Sequence, residues 1–173
     1  MPVGERRFKD VLRLWASGVS VVTTLDGDGL QAITVSSFTS VSLEPPLILI
    51  CIETPSRSHD AIVREGRFAV NILHAGQVAI SDMAAGRRGP SGHTLPGVAR
   101  RTEATGAPVL GDALAWLDCL LVARHDGGDH AIFVGRVEDA GTADAAGGAA
   151  SGAPLLWFDR GYRRLPARPD GAD

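Results

Sequence analysis

The sequence is short of the features that mark several large classes of protein. Its 173 residues include one lysine, two cysteines and one tyrosine, and the formal net charge is −3. Without an excess of basic residues, the chain has no electrostatic signature for nucleic acid or for an acidic membrane surface. The longest apolar runs, such as residues 46–52, are far shorter than the ~20 residues that span a bilayer. We therefore expect neither a nucleic-acid partner nor a membrane partner.

The N-terminal residues and the cysteines both indicate a cytoplasmic protein. Residues 1–7 lack the apolar core of a signal peptide. Cys51 and Cys119 lie in separate apolar, strand-like runs with no paired spacing, which predicts two buried free thiols.

We expect one domain over residues 1–173, with a core over about 8–165. The small-residue tract 141–153 predicts a flexible loop, and residues 166–173 predict a frayed tail.

Strand patterns outnumber helix patterns along the chain. Apolar residues recur at helical spacing over residues 5–17, and a capped helix is predicted from Ser56 to Glu65, ending at Gly66. A third short helix is predicted over 77–85. The remaining periodic segments are short and β-branched, and turn residues separate them; they are 19–25, 30–36, 47–52, 67–73, 115–125, 130–139 and 155–158. The 47–52 run is apolar at every position, which predicts burial on both faces. No alternation of strand and helix appears, which favours an antiparallel β-barrel with a few short flanking helices.

Residues 27–32 match the G-x-G-x-x-A pattern of dinucleotide-binding loops. That loop must open a helix whose N-terminus holds the pyrophosphate. Here Ile33, Thr34 and Val35 follow, and this run is typical of a strand. We therefore interpret Gly27 and Gly29 as a hairpin turn, so that any nicotinamide must bind without a Rossmann fold.

Two polar stretches are candidates for a ligand site. Six hydroxyl residues lie within residues 34–42, a pattern that fits either an exposed strand and turn or a strand end that binds a polar, phosphate-bearing ligand. Both interpretations stay open. Residues 54–58 follow a strand and begin a helix, and they include Ser56, Arg57 and Ser58. Capping requires only Ser56, so this stretch favours an anion-binding helix N-terminus.

His130 opens an apolar strand just after Gly128 and Asp129. A lone histidine in a loop most often has no functional role. A metal site with His125 is disfavoured because no carboxylate or thiolate cluster accompanies the pair, so we predict no metal. A Ser-His-Asp hydrolase is disfavoured because the sequence has no G-x-S-x-G elbow.

The ordered series of segments resembles the flavin reductase family, small flavoproteins that use NAD(P)H to supply reduced flavin. The segments that carry the resemblance are 29–46, 68–73, 106–110, 115–119, 128–135 and 154–158, and together they span nearly the whole chain. The resemblance implies a mainly β, FMN-binding split barrel that forms a homodimer. It also implies hydride transfer from NADH or NADPH to FMN or FAD. The implied partner is a separate flavin-dependent monooxygenase or halogenase, which receives reduced flavin by diffusion or transient contact.

The resemblance also implies a set of site residues. Thr34, Val35, Ser36 and Ser37 would line the flavin ring and ribityl chain, and Cys51, Ile52 and Glu53 would lie along the ring. Ser56, Arg57 and Ser58 would meet the phosphate, and Tyr162 is a further expected cofactor contact. His130 would contact the nicotinamide as the catalytic residue, in a loop shaped by Gly128 and Asp129. Hydride transfer needs little acid–base machinery, so His130 is expected mainly to position the ring.

One departure from the family lies in the loop over residues 86–97. Many members carry an acidic–basic–Phe triplet there, whose basic residue helps to hold flavin, and this chain has no such triplet. Arg87 and Arg88 are the nearby substitutes.

The alternatives to a reductase are a non-catalytic flavin-binding split barrel and a pyridoxamine-phosphate-oxidase-like enzyme. The stretch 128–130 favours the reductase, because a protein that only holds flavin needs no nicotinamide contact.

Overall fold

The structure is a computed structural model that describes residues 2–27, 29–87, 94–143 and 152–165. These ranges contain three helices: α1 (Glu5–Leu12), α2 (Arg57–Glu65) and α3 (Val78–Ala84). They also contain twelve strands: β1 (Ser17–Gly18), β2 (Ser20–Asp26), β3 (Gly29–Val35), β4 (Thr39–Leu43), β5 (Pro46–Glu53), β6 (Arg67–Ile72), β7 (Arg100–Thr102), β8 (Pro108–Leu110), β9 (Ala115–Asp126), β10 (His130–Thr142), β11 (Leu156–Phe158) and β12 (Gly161–Arg163). The prediction of a mainly β, antiparallel fold with short flanking helices is confirmed.

Some predicted loop residues fall outside the described part of the chain. Residues 88–93, which include Arg88 and make up half of the predicted loop over 86–97, lie there. So do most of the 141–153 tract and the predicted tail 166–173. Gly141 and Thr142 are described, and they extend β10 rather than opening the predicted loop.

Seven strands form one antiparallel sheet in the order β3-β2-β6-β9-β10-β5-β4. Its two edge strands, β3 and β4, follow each other directly in the chain. The sheet curls so that the end of β3 comes back beside β5, which gives a barrel that is split between these strands rather than closed by a ladder. Smaller sheets, β1-β11-β12 and β7-β8, lie beside it. The split is the feature that creates the site described below.

The turns predicted from the sequence are confirmed at the β2–β3 and β9–β10 hairpins, and the predicted ends of α2 are confirmed too. β3 pairs with β2 in register from Asp26–Gly29 to Ser20–Val35, so residues 29–32 lie in a strand and open no helix. The Ser56 hydroxyl accepts a hydrogen bond from the backbone N–H of His59 at the start of α2. Gly66 ends α2 in the left-handed region, with φ 66°, where a side chain would be strained.

Alternating side chains build apolar cores on both faces of the sheet. One core, on the α2 side, includes Val22, Ile50, Phe68 and Phe133. The other, on the α3 side, includes Val21, Leu73, Leu110 and Leu155. Successive residues such as Val21 and Val22 therefore enter different cores, as the two-residue period of a strand requires.

Three packing expectations are wrong in part. α1 ends at Leu12, although helical spacing predicts a helix over 5–17, and none of its residues is buried. β5 buries Ile48, Ile50 and Ile52, but its other face is only half-buried, so the prediction of burial on both faces is wrong. Cys51 lies on that second face and is half-buried, whereas Cys119 is buried as predicted.

Candidate functional site

The seam between the end of β3 and the end of β5 is held by one side chain. Ser37 Oγ donates to the carbonyl of Cys51 and accepts from the Cys51 backbone N–H, both at 3.0 Å. This double contact substitutes for a ladder where the two strands diverge. It fixes the path of residues 34–37 across the end of the split barrel, and it occupies the Ser37 hydroxyl.

A groove of about 320 Å³ runs along this seam. Its lining residues come from the ends of β3 and β5 and from the start of β10; they are Ile33, Thr34, Val35, Ser36, Ser37, Cys51, Ile52, Glu53 and His130. Eight of the residues predicted from the sequence therefore lie in one groove. The antiparallel register explains the third contribution, because His130 pairs with Glu53.

The tip of the β9–β10 hairpin positions His130. The Asp129 carbonyl accepts hydrogen bonds from the Thr54 backbone N–H at 2.9 Å and from the Thr54 hydroxyl at 3.1 Å. Gly128 has φ 84°, which a residue with a side chain rarely adopts. These contacts tie the hairpin tip that contains Gly128 and Asp129 to the β5–α2 turn.

The His130 side chain is half-buried at the groove and is oriented by its neighbour. Its Nδ1 lies 2.7 Å from Asp129 Oδ1, and this hydrogen bond holds the pKa of the Asp129 carboxyl below its usual value. The same contact fixes one ring nitrogen of His130. A histidine oriented in this way can present its other ring edge to a ligand.

A second cavity, of about 190 Å³, opens on the other side of residues 34–36. It is lined by the end of β3, by α3 and by the β11–β12 hairpin; the residues are Val19, Thr34, Val35, Ser36, Ser81, Ala85, Arg87, Trp157 and Tyr162. Because Thr34, Val35 and Ser36 line both spaces, the groove and the cavity are neighbours. Tyr162, a predicted cofactor contact, lies here rather than in the groove.

The predicted phosphate contacts at the start of α2 lie apart from the groove. Arg57 Nε lies 2.5 Å from Asp26 Oδ2, and the same carboxylate binds Arg64 at 2.6 Å. Ser58 is buried, and its Oγ accepts a hydrogen bond from Gln31 Nε2 at 2.8 Å. The shallow depression that contains Ser56 and Arg57 shares no lining residue with the groove.

The groove suits a flat heteroaromatic ligand with polar edges. Ile33, Val35 and Ile52 supply apolar contact, while Ser36 and Glu53 are exposed polar neighbours. β3 is an edge strand, so one side of its backbone is left without a sheet partner there. A flavin ring presents alternating donors and acceptors along its pyrimidine edge, and the backbone of such a strand can match them. On these grounds the residues present fit a flavin.

The thiols of Cys51 and Cys119 are not ionised at neutral pH and therefore provide no nucleophile. Burial raises the pKa of Cys51 and raises that of Cys119 to about 12. Both side chains therefore stay protonated at neutral pH, and a thiol is a poor nucleophile in that form.

Within the described ranges, no group of three or more His, Cys, Asp or Glu residues is placed to hold a metal ion. No helix in the same ranges is long and apolar enough to cross a membrane.

Some lining residues had no clear signal in the sequence. Ile33 is an ordinary strand residue, and Trp157 reads as part of an apolar strand. Ser81 lies within the short helix α3, where its backbone carbonyl accepts a hydrogen bond from the Thr34 hydroxyl at 2.6 Å. Ser81 and Trp157 reach the cavity only because α3 and the β11–β12 hairpin pack beside β3, whereas Ile33 lines the groove.

Comparisons with known proteins give a consistent result. A sequence profile described as the flavin reductase like domain matches residues 12–166. The chain is 40% identical over 166 residues to the NADH-dependent FMN reductase AsuE2 of Streptomyces nodosus subsp. asukaensis, covering 94% of this chain and 85% of that protein.

Two solved structures are also similar. BorF, the flavin reductase component of a bacterial two-component tryptophan halogenase, is 37% identical with a TM-score of 0.80, over 95% of this chain and 100% of that one. SgcE6, an NADH:FAD oxidoreductase of Streptomyces globisporus C-1027 solved with NAD and FAD fragments, is 32% identical with a TM-score of 0.83, over 98% and 99%.

Proposed function

The chain belongs to the flavin reductase like domain family, and from this premise we propose that it transfers a hydride from NADH to FMN or FAD. It is an oxidoreductase that supplies reduced flavin to a separate oxygenase. The observation that supports this most directly is the groove at the split of the barrel, where the free edge of β3, the end of β5 and His130 meet. The similar proteins AsuE2 and SgcE6 are NADH-dependent reductases of FMN and FAD respectively.

The residues of the groove contribute binding and orientation. A bound flavin would supply the acceptor and a reduced nicotinamide the donor of a single hydride, so this chemistry belongs to the two substrates. Thr34, Ser36 and the β3 backbone would hold the polar edge of the flavin, while Ile33 and Ile52 exclude water from its face. His130 would hold the nicotinamide against it. Holding the flavin and nicotinamide rings in contact supplies much of the rate acceleration of hydride transfer, because the entropy cost of bringing the two reactants together is met on binding.

A flavin-binding protein without turnover is the second candidate. The placement of His130 favours the reductase, because its ring lies at the groove and is oriented by Asp129 at 2.7 Å. A protein that only holds flavin would have no use for this arrangement. The pyridoxamine-phosphate oxidase alternative has no specific observation in its favour.

We propose that the partner is an oxygenase or halogenase encoded as a separate chain. BorF is the reductase component of a two-component system, and its structure covers nearly the whole of this chain. The open groove suits a flavin that binds, is reduced and leaves. We also propose a cytoplasmic location, because both cysteines are unpaired.

A homodimer is the oligomeric state that we propose. Phe8 and Val11 on α1 and Trp15, three residues after its end, are between half and three-quarters exposed, and Leu43 at the end of β4 is 94% exposed. Exposed large apolar side chains are a common mark of a protein interface. Sedimentation of the purified protein would test this, and a monomer at micromolar concentration would contradict it.

The proposed function is tested by following NADH oxidation with added FMN, with added FAD and without flavin. Turnover that rises with added flavin would establish the reductase, and NADPH in place of NADH would give the nucleotide preference. Quenching of flavin fluorescence without turnover would favour the flavin-binding alternative. Absence of both turnover and quenching would contradict the proposed function.

A further inference from the structure

The β11–β12 hairpin forms one wall of the cavity beside the groove, and it is a small element. Its strands have three residues each, and a hairpin of this size is marginal unless neighbouring elements support it. Trp157 and Tyr162 pair across it with ring centroids 5.0 Å apart. Both rings line the cavity, which shares residues 34–36 with the groove. The position of the two rings therefore depends on what holds the hairpin.

The strands of the hairpin are held by two neighbours. Trp157 is paired with Ser17 of β1. The Tyr162 hydroxyl lies 2.9 Å from Ser81 Oγ and 2.8 Å from Asp82 Oδ1, both on α3. These contacts fix the two strands, but neither of them involves the turn that joins the strands.

The turn of the hairpin consists of Asp159 and Arg160, and both have a left-handed backbone, with φ 48° and 60°. A two-residue hairpin turn needs positive φ at both positions, which is why Asn-Gly and Asp-Gly sequences dominate there. Aspartate tolerates this region, whereas arginine has a Cβ that crowds the backbone and no short polar group to offset it. The sequence of this turn therefore does not favour its conformation, and contacts from elsewhere must hold it.

Arg13, the residue that follows α1, supplies such contacts. Its carbonyl accepts a hydrogen bond from the Asp159 backbone N–H at 2.8 Å, and its Nη1 lies 2.5 Å from Asp159 Oδ1. Asp10 of α1 completes the cluster, with Oδ1 3.1 Å from Arg160 Nη2 and 3.7 Å from Arg13 Nε. The side chains of Arg13 and Asp159 are 38% and 39% exposed, so solvent screens this pair less than a fully exposed one. The end of α1 thus holds both residues of the turn.

We propose that Arg13 is a positioning residue for the flavin site. By holding Asp159 and Arg160 in the left-handed turn, it keeps Trp157 and Tyr162 in the arrangement that a ligand of the groove meets. Arg13 is not among the residues that line the groove or the cavity, so it acts through the hairpin rather than by contact with the ligand. The inference rests on the proposed function, because it takes flavin as that ligand.

Arg13→Gln removes the guanidinium and keeps the carbonyl contact with Asp159. The turn should then be displaced in a fraction of the molecules, and the apparent dissociation constant of a site rises as its binding-competent fraction falls. We expect FMN binding, measured by fluorescence quenching, to weaken about threefold to tenfold. The kcat at saturating FMN should change less than about twofold, because bound flavin selects the ordered hairpin.

A turn variant tests whether the effect passes through the hairpin. Asp159→Asn combined with Arg160→Gly gives the Asn-Gly sequence that favours this turn by itself, and it leaves the net charge unchanged. This variant should bind FMN as the wild type does. Adding Arg13→Gln to it should weaken FMN binding less than about twofold, the non-additivity expected of residues that act together. A full loss in this background, or an equal loss in the turn variant alone, would overturn the proposal.

Hydrogen exchange without flavin follows the hairpin directly. Arg13→Gln should speed the exchange of backbone amides in β11 and β12, and the added turn variant should restore their protection. The β9–β10 hairpin is the internal reference for a general loss of stability. Arg7→Gln is the matched control, since it removes another arginine of α1 that is not part of this cluster. Exchange in Arg13→Gln that equals that of the wild type would overturn the proposal.

The two measurements distinguish a failure of this inference from a failure of the proposed function. If the wild type binds flavin and oxidises NADH while Arg13→Gln binds FMN equally well, the inference alone is overturned. Wild-type protein that binds no flavin and oxidises no NADH would contradict the proposed function, and the inference with it.

Discussion

The start of α2 and the cavity beside α3 both combine an arginine with hydroxyl groups, but they use these groups differently. At α2, Arg57 is bound to Asp26, and Ser58 is buried against Gln31. Beside α3, Arg87 faces a cavity, while Asp82 lies behind it with the Tyr162 hydroxyl. A serine–arginine motif therefore indicates an anion site only where the fold leaves the donors available. The following predictions test this difference between the two regions, from the largest expected effect to the smallest.

Ser58→Ala tests whether the α2 region is structural. The substitution removes the acceptor of Gln31 Nε2, and the Gln31 side chain is 1% exposed and cannot turn to water. An unsatisfied buried donor costs about 1–3 kcal/mol, so the free energy of unfolding should fall by about that amount. Urea denaturation measures the change, and Ser40→Ala, at an exposed strand position, is the control. Unchanged stability together with weaker FMN binding would mean that Ser58 contacts ligand.

His130→Ala tests the groove that borders the cavity beside α3. Loss of the oriented ring should raise the KM for NADH about tenfold, with a smaller effect on the flavin dissociation constant. Steady-state kinetics and fluorescence quenching give the two quantities. His125→Ala is the matched control, since His125 is exposed on the same hairpin. An unchanged KM for NADH would remove His130 from the site.

Tyr162→Phe tests the support behind Arg87. The ring stays against Trp157, with centroids 5.0 Å apart, but Asp82 loses its hydroxyl partner. Burial raises the pKa of Tyr162, so the phenol is neutral and acts as a donor at about pH 7. We expect a loss of ~1 kcal/mol of stability. We also expect a severalfold loss of affinity for FMN, because Asp82 then competes for Arg87. An equal loss of affinity for riboflavin, which lacks the phosphate, would indicate a packing role instead.

Asp26→Asn releases Arg57 and should have the smallest effect. The hydrogen bond from Arg57 lowers the pKa of the Asp26 carboxyl, so the ion pair adds stability at neutral pH and loses it as pH falls through that lowered value. The pair is exposed and screened, so its contribution is small. The melting temperatures of variant and wild type should differ slightly at about pH 7 and converge in acid. FMN affinity should not change, whereas a clear gain would show that the freed α2 arginine can bind phosphate.

Local signals allowed part of the fold to be predicted from sequence. The Ser56 cap and Gly66 bound α2 correctly, and the glycine-rich tips at 26–29 and 126–129 join paired strands as expected. β4, with its exposed hydroxyl residues, has no periodic burial to reveal it. β7 and β8 have three residues each, too few for a pattern.

The sequence indicated more of the residues that line the groove than of those that line the cavity beside α3, and the reason is physical. Residues 51–53 and 130 lie at the paired ends of β5 and β10, and the contact of Ser37 with the Cys51 backbone holds residues 34–37 beside them. Arg87 and Tyr162 come from a loop and a short hairpin, whose placement depends on how α3 packs against β3. Sequence identified their chemistry, but their shared cavity follows from tertiary packing that no local pattern encodes. The assignment of individual site residues stays a prediction until ligand binding is measured.

The contact between Thr54 and Asp129 has a consequence for how this family can diverge. Both hydrogen bonds from Thr54 end on a backbone carbonyl, so they are indifferent to the side chain at position 129. Substitution of Asp129 can therefore leave the tie between the hairpin tip and β5 intact, while it removes the carboxylate that orients the His130 ring. Exchange of this tip between homologous proteins should alter the preference for the electron donor without disturbing the barrel, which makes the segment a natural unit for recombination.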